Sequence, residues 1–174
     1  MRILVYGFGP YREFRNNITE TIIKTLPPLP GLRTAIFAVR FNRRQFIEVL
    51  ERHKPYHVIG LGQCMRDRTE LESRARNRKQ TSDMRPAKPI RKSGAEFLPT
   101  TLDIDLGSEV GHSDTAGDYV CNYSMYVMLE YIGRSGGDCR FGFLHIPHNI
   151  DSEKGAAVVM RAIAQIQLKS KSTY

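Results

Sequence analysis

No hydrophobic run in this 174-residue chain approaches the ~20 apolar residues that a bilayer-spanning helix needs, so no membrane segment is expected. Linkers, internal repeats and low-complexity tracts are also lacking. The opening Met1-Arg2-Ile3-Leu4-Val5-Tyr6-Gly7 reads as a strand entering a glycine turn. It is too short for a secretory apolar region and has no small-residue cleavage site. Cysteine is scarce: three residues, an odd number, stand far apart at Cys64, Cys121 and Cys139. That argues against a disulfide framework and against zinc-ligand spacing. His53, His57 and His112 likewise have no metal-like spacing. These absences point to a cytoplasmic protein with reduced thiols. With 41% hydrophobic residues, the length fits one compact domain over 1–174.

Acidic residues are in deficit, giving a formal charge of +8. The imbalance is local. Between Met65 and Lys92 lie ten basic and four acidic residues, a net +6. Such a segment could grip phosphates, which keeps a nucleic-acid or acidic-partner binding module as the alternative function. It could equally be a solvated loop or a lid over a site that receives an anionic substrate.

Periodicity alternates between strand and helix. Ile3 to Gly7, Thr34 to Val39, Tyr56 to Gly62 and Phe141 to His145 read as buried strands. Asn17-Ile18-Thr19-Glu20 is a capping-box pattern opening a helix through Ile22, Ile23 and Leu26, which Pro27 and Pro28 then forbid from continuing. Further helices are expected over Asn42 to His53, Gly117 to Ile132 and Ser152 to Leu168. The pattern implies a three-layer α/β/α sandwich with a mostly parallel, twisted sheet. Ligand sites in such folds gather at the carboxyl ends of the strands, here at Gly7, Gly62-Gln63 and His145. Only Met65 to Val110 resists this rhythm. Short strands and an excursion over the sheet edge are expected there, with Thr101 to Leu106 as one alternating patch.

Chemistry concentrates at two points. Cys121 falls where the polar, glycine-containing turn Ser113 to Asp118 becomes an apolar helix, and a helix start favours a thiolate over a thiol. His145 ends the run Phe141-Gly142-Phe143-Leu144-His145. A sulfur nucleophile and a nitrogen base, brought together by the fold, are what a cysteine hydrolase needs. A buried structural cysteine and a satisfied polar histidine are the competing readings.

With those residues in view, the chain resembles the pyroglutamyl peptidase I family of cysteine peptidases, along its whole length and in matching order. Thr115-Ala116-Gly117-Asp118-Tyr119-Val120-Cys121-Asn122 is similar to the family's nucleophile segment, and Gly142-Phe143-Leu144-His145-Ile146-Pro147 to its base segment. Gly7-Phe8-Gly9-Pro10-Tyr11 resembles the opening motif, with Asn17 where the family has the Asn of a following N-P, and Gly62-Gln63 matches the G-Q after the third strand. The resemblance implies removal of an N-terminal pyroglutamyl residue from small peptides, with Cys121 as nucleophile, His145 as base and Glu72 as the carboxylate that orients the histidine. Glu70 competes for that last role. It further implies a flat-ring slot using Phe8 and Tyr11, with Gln63 donating or accepting at the lactam amide. Tyr119 and Val120 are additional candidates for which plain core packing is the alternative. No metal or organic cofactor is implied, and homo-oligomers are suggested. Departures from the family are Tyr6 for a threonine, Arg12-Glu13 for two glycines, Cys64-Met65 for paired glycines, and a short basic loop over 81–89. They are expected to fall where the substrate is gripped.

Overall fold

The computed structural model describes residues 1–11, 15–82 and 85–171. The Arg12-Glu13 replacement and the Asp83-Met84 portion of the basic loop lie outside the described residues.

Strand β1 (Ile3–Phe8) is buried on both faces. Its alternate residues enter two different cores. Leu4, Tyr6 and Phe8 join one cluster, and Ile3 and Val5 the other. Helix α1 (Ile18–Thr25) follows, capped by Asn17, whose side chain accepts a hydrogen bond from the Thr19 backbone N–H. The capping box is not reciprocal, because Glu20 pairs with Lys24 at 2.6 Å instead. Strand β2 (Leu32–Phe37), helix α2 (Arg43–His53) and strand β3 (His57–Cys64) complete two parallel crossovers. Four short strands come next: β4 (Glu70–Glu72), β5 (Arg74–Arg76), β6 (Phe97–Pro99) and β7 (Gly111–Ser113). Helix α3 (Val120–Ser135), strand β8 (Arg140–Pro147) and helix α4 (Ser152–Lys171) close the chain's pattern.

The main sheet has the order β2-β1-β3-β8-β4-β7. Strands β2, β1, β3 and β8 are mutually parallel along their pairings. Strand β4 runs antiparallel to β8 and parallel to β7. Helices α2 and α3 cover the face carrying Tyr6, Phe141 and Phe143, whereas α1 and α4 cover the face carrying Ile59, Leu61 and Leu144. The architecture is the expected three-layer α/β sandwich. Among the described residues no helix is long and apolar enough to cross a membrane.

Three sequence expectations need correction. The alternating patch Thr101 to Leu106 is not a strand. Ile104 and Leu106 are buried against α4, but the Asp105 backbone bonds the Gln165 side chain rather than a neighbouring strand. Strand β2 lies two residues earlier than the apolar run suggested, since Leu32 pairs with Ile3 at the buried end. Tyr6, expected near the substrate, lies in the core instead. It is fully buried beneath α3, bonded to Ser124 Oγ at 2.9 Å, so its phenol is raised well above the usual range, chiefly by burial.

The basic segment is folded against the body of the molecule. Strands β5 and β6 form an antiparallel ribbon whose Ala75 is buried under α3. Asn122 fastens it there: its Oδ1 accepts from Arg76 N (2.8 Å) while its Nδ2 donates to the Arg76 and Arg78 carbonyls (3.0 and 2.7 Å). Arg74, Arg78 and Arg91 pair with Asp114, Asp118 and Glu130.

Candidate active site

The carboxyl ends of β1, β3 and β8 and the start of α3 converge on one small region. Tyr119, in extended conformation, precedes α3, and its side chain makes no capping hydrogen bond. The first-turn backbone N–H groups beside Cys121 are thus left without a side-chain cap. Gly62 on β3 is directly opposite His145 on β8, and parallel pairs of this kind project to the same face. Cys121 presses on that point. A Cβ on Gly62 would lie 2.8 Å from Cys121 Sγ and 2.8 Å from the Phe143 ring. Glycine is therefore required by space, not by backbone angle. Gly62→Ala is expected to displace the sulfur and lower any thiol-dependent turnover by about 10²-fold, measured as kcat/KM beside a thermal melt that reports the strain of overpacking.

His145 is 4% exposed, and its Nδ1 lies 2.6 Å from Glu72 Oε1. Strand β4 makes this contact possible. Its antiparallel pairing sets Glu70 opposite His145 in register, yet Glu72 is the carboxylate that reaches the imidazole. Glu70 instead pairs with Arg66 and, at 3.7 Å, with Arg68. Burial alone would raise the Glu72 carboxyl. The hydrogen bond and charge of His145, with hydrogen bonds from Ser113 and then Arg66, outweigh burial and hold it below its usual value. The Phe143 ring meets His145 edge to face at 5.2 Å, limiting the imidazole's rotation.

Packing opposes the helix start at Cys121. Burial pushes the Cys121 thiol up to about 12; removal of water outweighs the dipole. Burial thus favours the thiol form at Cys121, and a sulfur nucleophile there would need a neighbouring base. Among the described residues no hydrogen bond joins Cys121 to His145; the sulfur is seated against Gly62, beside the strand that carries the base.

Beside Cys121 lies a cavity of about 130 Å³. It gathers Phe8, Tyr11, Gln63, Tyr119 and Val120, the five residues singled out for substrate, with Asn17 and Val39 also in its wall. The rings of Tyr11 and Tyr119 meet tilted by 42° at 5.3 Å and are joined through their hydroxyls. Phe41 meets Tyr119 edge-on at 5.2 Å. Gln63 Oε1 accepts from the Ile18 N–H at 2.9 Å, which leaves its Nε2 hydrogens as the groups available to a ligand. Asn17 supports the loop above: its Nδ2 donates to the Gly9 carbonyl (3.1 Å) and its Oδ1 accepts from Thr19 Oγ1 (2.8 Å). Among the described residues no cluster of three or more His, Cys, Asp or Glu could hold a metal ion.

Three contributors escaped the reading of the sequence: Val39, Asn17 as a wall residue, and Arg66. Val39 follows β2 as one more apolar residue, and Arg66 is one of ten cations in the basic segment. Neither carries a local signal that marks it.

Comparison with known proteins fixes the class. A family model described as pyroglutamyl peptidase matches residues 104–160, and a pyrrolidone-carboxylate peptidase from Halalkalibacterium halodurans is 30% identical over 168 residues, covering 83% of each chain. A second, from Alkaliphilus oremlandii, is 28% identical over 177 residues, covering 90% of this chain and 83% of the relative. Among solved structures, a mutant pyrrolidone carboxyl peptidase from Pyrococcus furiosus superposes with a TM-score of 0.83 at 25% identity, covering 94% of this chain and 97% of that one. The enzyme from Thermococcus litoralis shares the fold with a TM-score of 0.85 at 21% identity, covering 99% and 95%. The protein is a cysteine-type hydrolase. It belongs to the pyroglutamyl peptidase family.

Proposed function

We propose that this protein removes an N-terminal pyroglutamyl residue from peptides, with Cys121 as nucleophile, His145 as general base and acid, and Glu72 as the group that orients His145. The observation that carries this reading is the cavity of about 130 Å³ against Cys121. It is well below the roughly 300–1,000 Å³ of drug-sized sites, so it suits one small flat ring and no long side chain. Its aromatic wall matches an uncharged lactam. Gln63, with its oxygen already committed to Ile18, donates to the lactam carbonyl.

In this mechanism Cys121 Sγ attacks the carbonyl carbon that joins the lactam residue to the next amino acid. His145 takes the thiol proton as the S–C bond forms, which the high resting pKa of the thiol demands. The developing oxyanion is held by backbone N–H groups of the first turn of α3, a contribution of about 2.7–4 kcal/mol per donor in comparable acyl transfers. Collapse breaks the C–N bond, and the amine leaves with the proton from His145. His145 then deprotonates water, which attacks the thioester. Pyroglutamate departs and Cys121 regains its proton. Glu72 holds the imidazole in the Nδ1–H tautomer, so that Nε2 faces the chemistry, and stabilises the imidazolium.

The test compares release of one chromogenic amine from its L-pyroglutamyl, L-prolyl and L-glutaminyl amides. Prolyl amides carry a charged amine and lack the carbonyl that Gln63 serves, so kcat/KM is expected to favour the pyroglutamyl amide by about 10³-fold or more. Comparable turnover of the prolyl amide would overturn the lactam assignment.

A further inference from the structure

We propose that Arg66 is a positioning residue of this site, a guanidinium strut that holds the Glu72 carboxylate against His145 and ties it to the loop leading to Cys121. The proposal rests on the Cys121–His145–Glu72 reading above. Arg66 lies just past β3. Its Nη1 donates to Glu72 Oε1 at 2.9 Å and also to Glu70 Oε2, while its Nη2 donates to the Thr115 carbonyl at 2.6 Å. One planar fork thus joins two residues of β4 to the turn that precedes α3. A lysine, a single point charge, cannot span these acceptors in the same way.

Oε1 of Glu72 receives both His145 Nδ1 and Arg66 Nη1, and the Ser113 hydroxyl also favours the ionised carboxylate. The Glu72 side chain is fully buried and that of Arg66 is 33% exposed, so the cation reaches inward from the surface. A buried carboxylate needs a compensating charge held close to it. Arg66 supplies it. When His145 accepts the thiol proton, the same guanidinium opposes the new positive charge and lowers the proton affinity of the pair. The other titratable or charged groups around the pair are Glu70 on β4, Cys64 on β3 and Cys121 on α3, with Arg68 beside Glu70. None of these bonds the Glu72 oxygen that bonds His145; Arg66 does. Its hold on Thr115 also couples the acid–base pair to the segment that sets the first turn of α3, where Cys121 resides.

The test uses Arg66→Met and Arg66→Lys in the full-length protein, with kcat and KM on the L-pyroglutamyl amide across pH and the NMR titration of His145. For Arg66→Met, kcat/KM is expected to fall about ten- to hundredfold, carried by kcat. Loss of the cation favours the protonated imidazole, so the pH–rate profile and the His145 midpoint should both move upward by about one pH unit or more. Arg66→Lys should return both toward the wild-type pH while kcat stays low, because charge is kept and the fork is lost. Unchanged kcat in both variants overturns the proposal. So does a loss of rate in a folded Arg66→Met protein whose His145 midpoint stays at the wild-type value, since that is a structural effect alone. If Arg66→Met does not fold, Arg66→Lys decides: a tenfold lower kcat supports the strut, and a wild-type kcat overturns it. Failure of the wild-type protein to cleave the pyroglutamyl amide would fall on the function instead; the His145 titration would still read the role of Arg66.

Discussion

Cys121→Ala is expected to abolish release of amine from a pyroglutamyl amide, a loss of about 10⁴-fold or more, while the protein remains folded. The size follows from chemistry. Without the sulfur no thioester forms, and His145 has no nucleophile in place to deprotonate. The fold should tolerate the change, because Cys121 lies at a cavity wall rather than at the centre of a core, and the buried residues on either side, Val120 and Asn122, keep their contacts. Comparison of kcat/KM with thermal melts of both proteins makes the distinction. Substantial residual turnover in the folded variant would remove Cys121 from its assigned role, and Cys64, at the end of β3, would then be the thiol to examine.

Glu72→Gln is expected to cost about 10³- to 10⁴-fold in kcat with little change in KM. An amide can present N–H to Nδ1 and so stabilise the wrong imidazole tautomer, and it cannot balance an imidazolium. The same substitution has a signature in stability. The Glu72 carboxyl titrates below its ordinary value of 4.5 in the folded protein. As pH falls below that value, the unfolded chain binds a proton at this residue before the folded one does. Stability from ionised Glu72 is therefore complete above about pH 4.5 and is lost as pH drops through the lower, folded value. Denaturant melts between pH 6 and 3 should show this loss in the wild-type protein and a shallower decline in Glu72→Gln. Equal slopes would mean that the carboxyl is not held ionised by its partners.

Much of this arrangement was legible before any coordinates. The two-faced apolar runs of β1, β3 and β8 and the stripe Phe46, Val49, Leu50 on α2 report their own packing, because burial on one or both faces sets their periodicity. Boundaries were less exact. Helix α3 begins at Val120 and not at Gly117, since Gly117 takes a left-handed conformation (φ 74°) and Tyr119 stays extended. Three-residue strands such as β4 have no period to read, and its partner β8 lies more than 70 residues further along the chain. The pairing that delivers Glu72 is thus a tertiary fact. Motif context marked Cys121, His145 and Glu72, and adjacency to those motifs marked the cavity wall. Arg66 stayed hidden because a basic run looks the same whether its members face water or bond a buried carboxylate. The upward push on the Cys121 thiol was hidden for a related reason: a helix start is visible in sequence, whereas the packing around the sulfur is not.

The bond between His145 and Glu72 joins residues 73 positions apart, and β8, the last strand in the chain, fills the middle of the sheet between β3 and β4. Contacts of such long range form slowly, because the chain's freedom must be given up before they stabilise anything. Until β8 enters, β3 and β4 have no common neighbour and the imidazole is absent from the site. On the proposed roles, a ribosome-bound chain that has not yet released residue 147 carries the sulfur without its base, and docking of the central strand is the step that arms the enzyme.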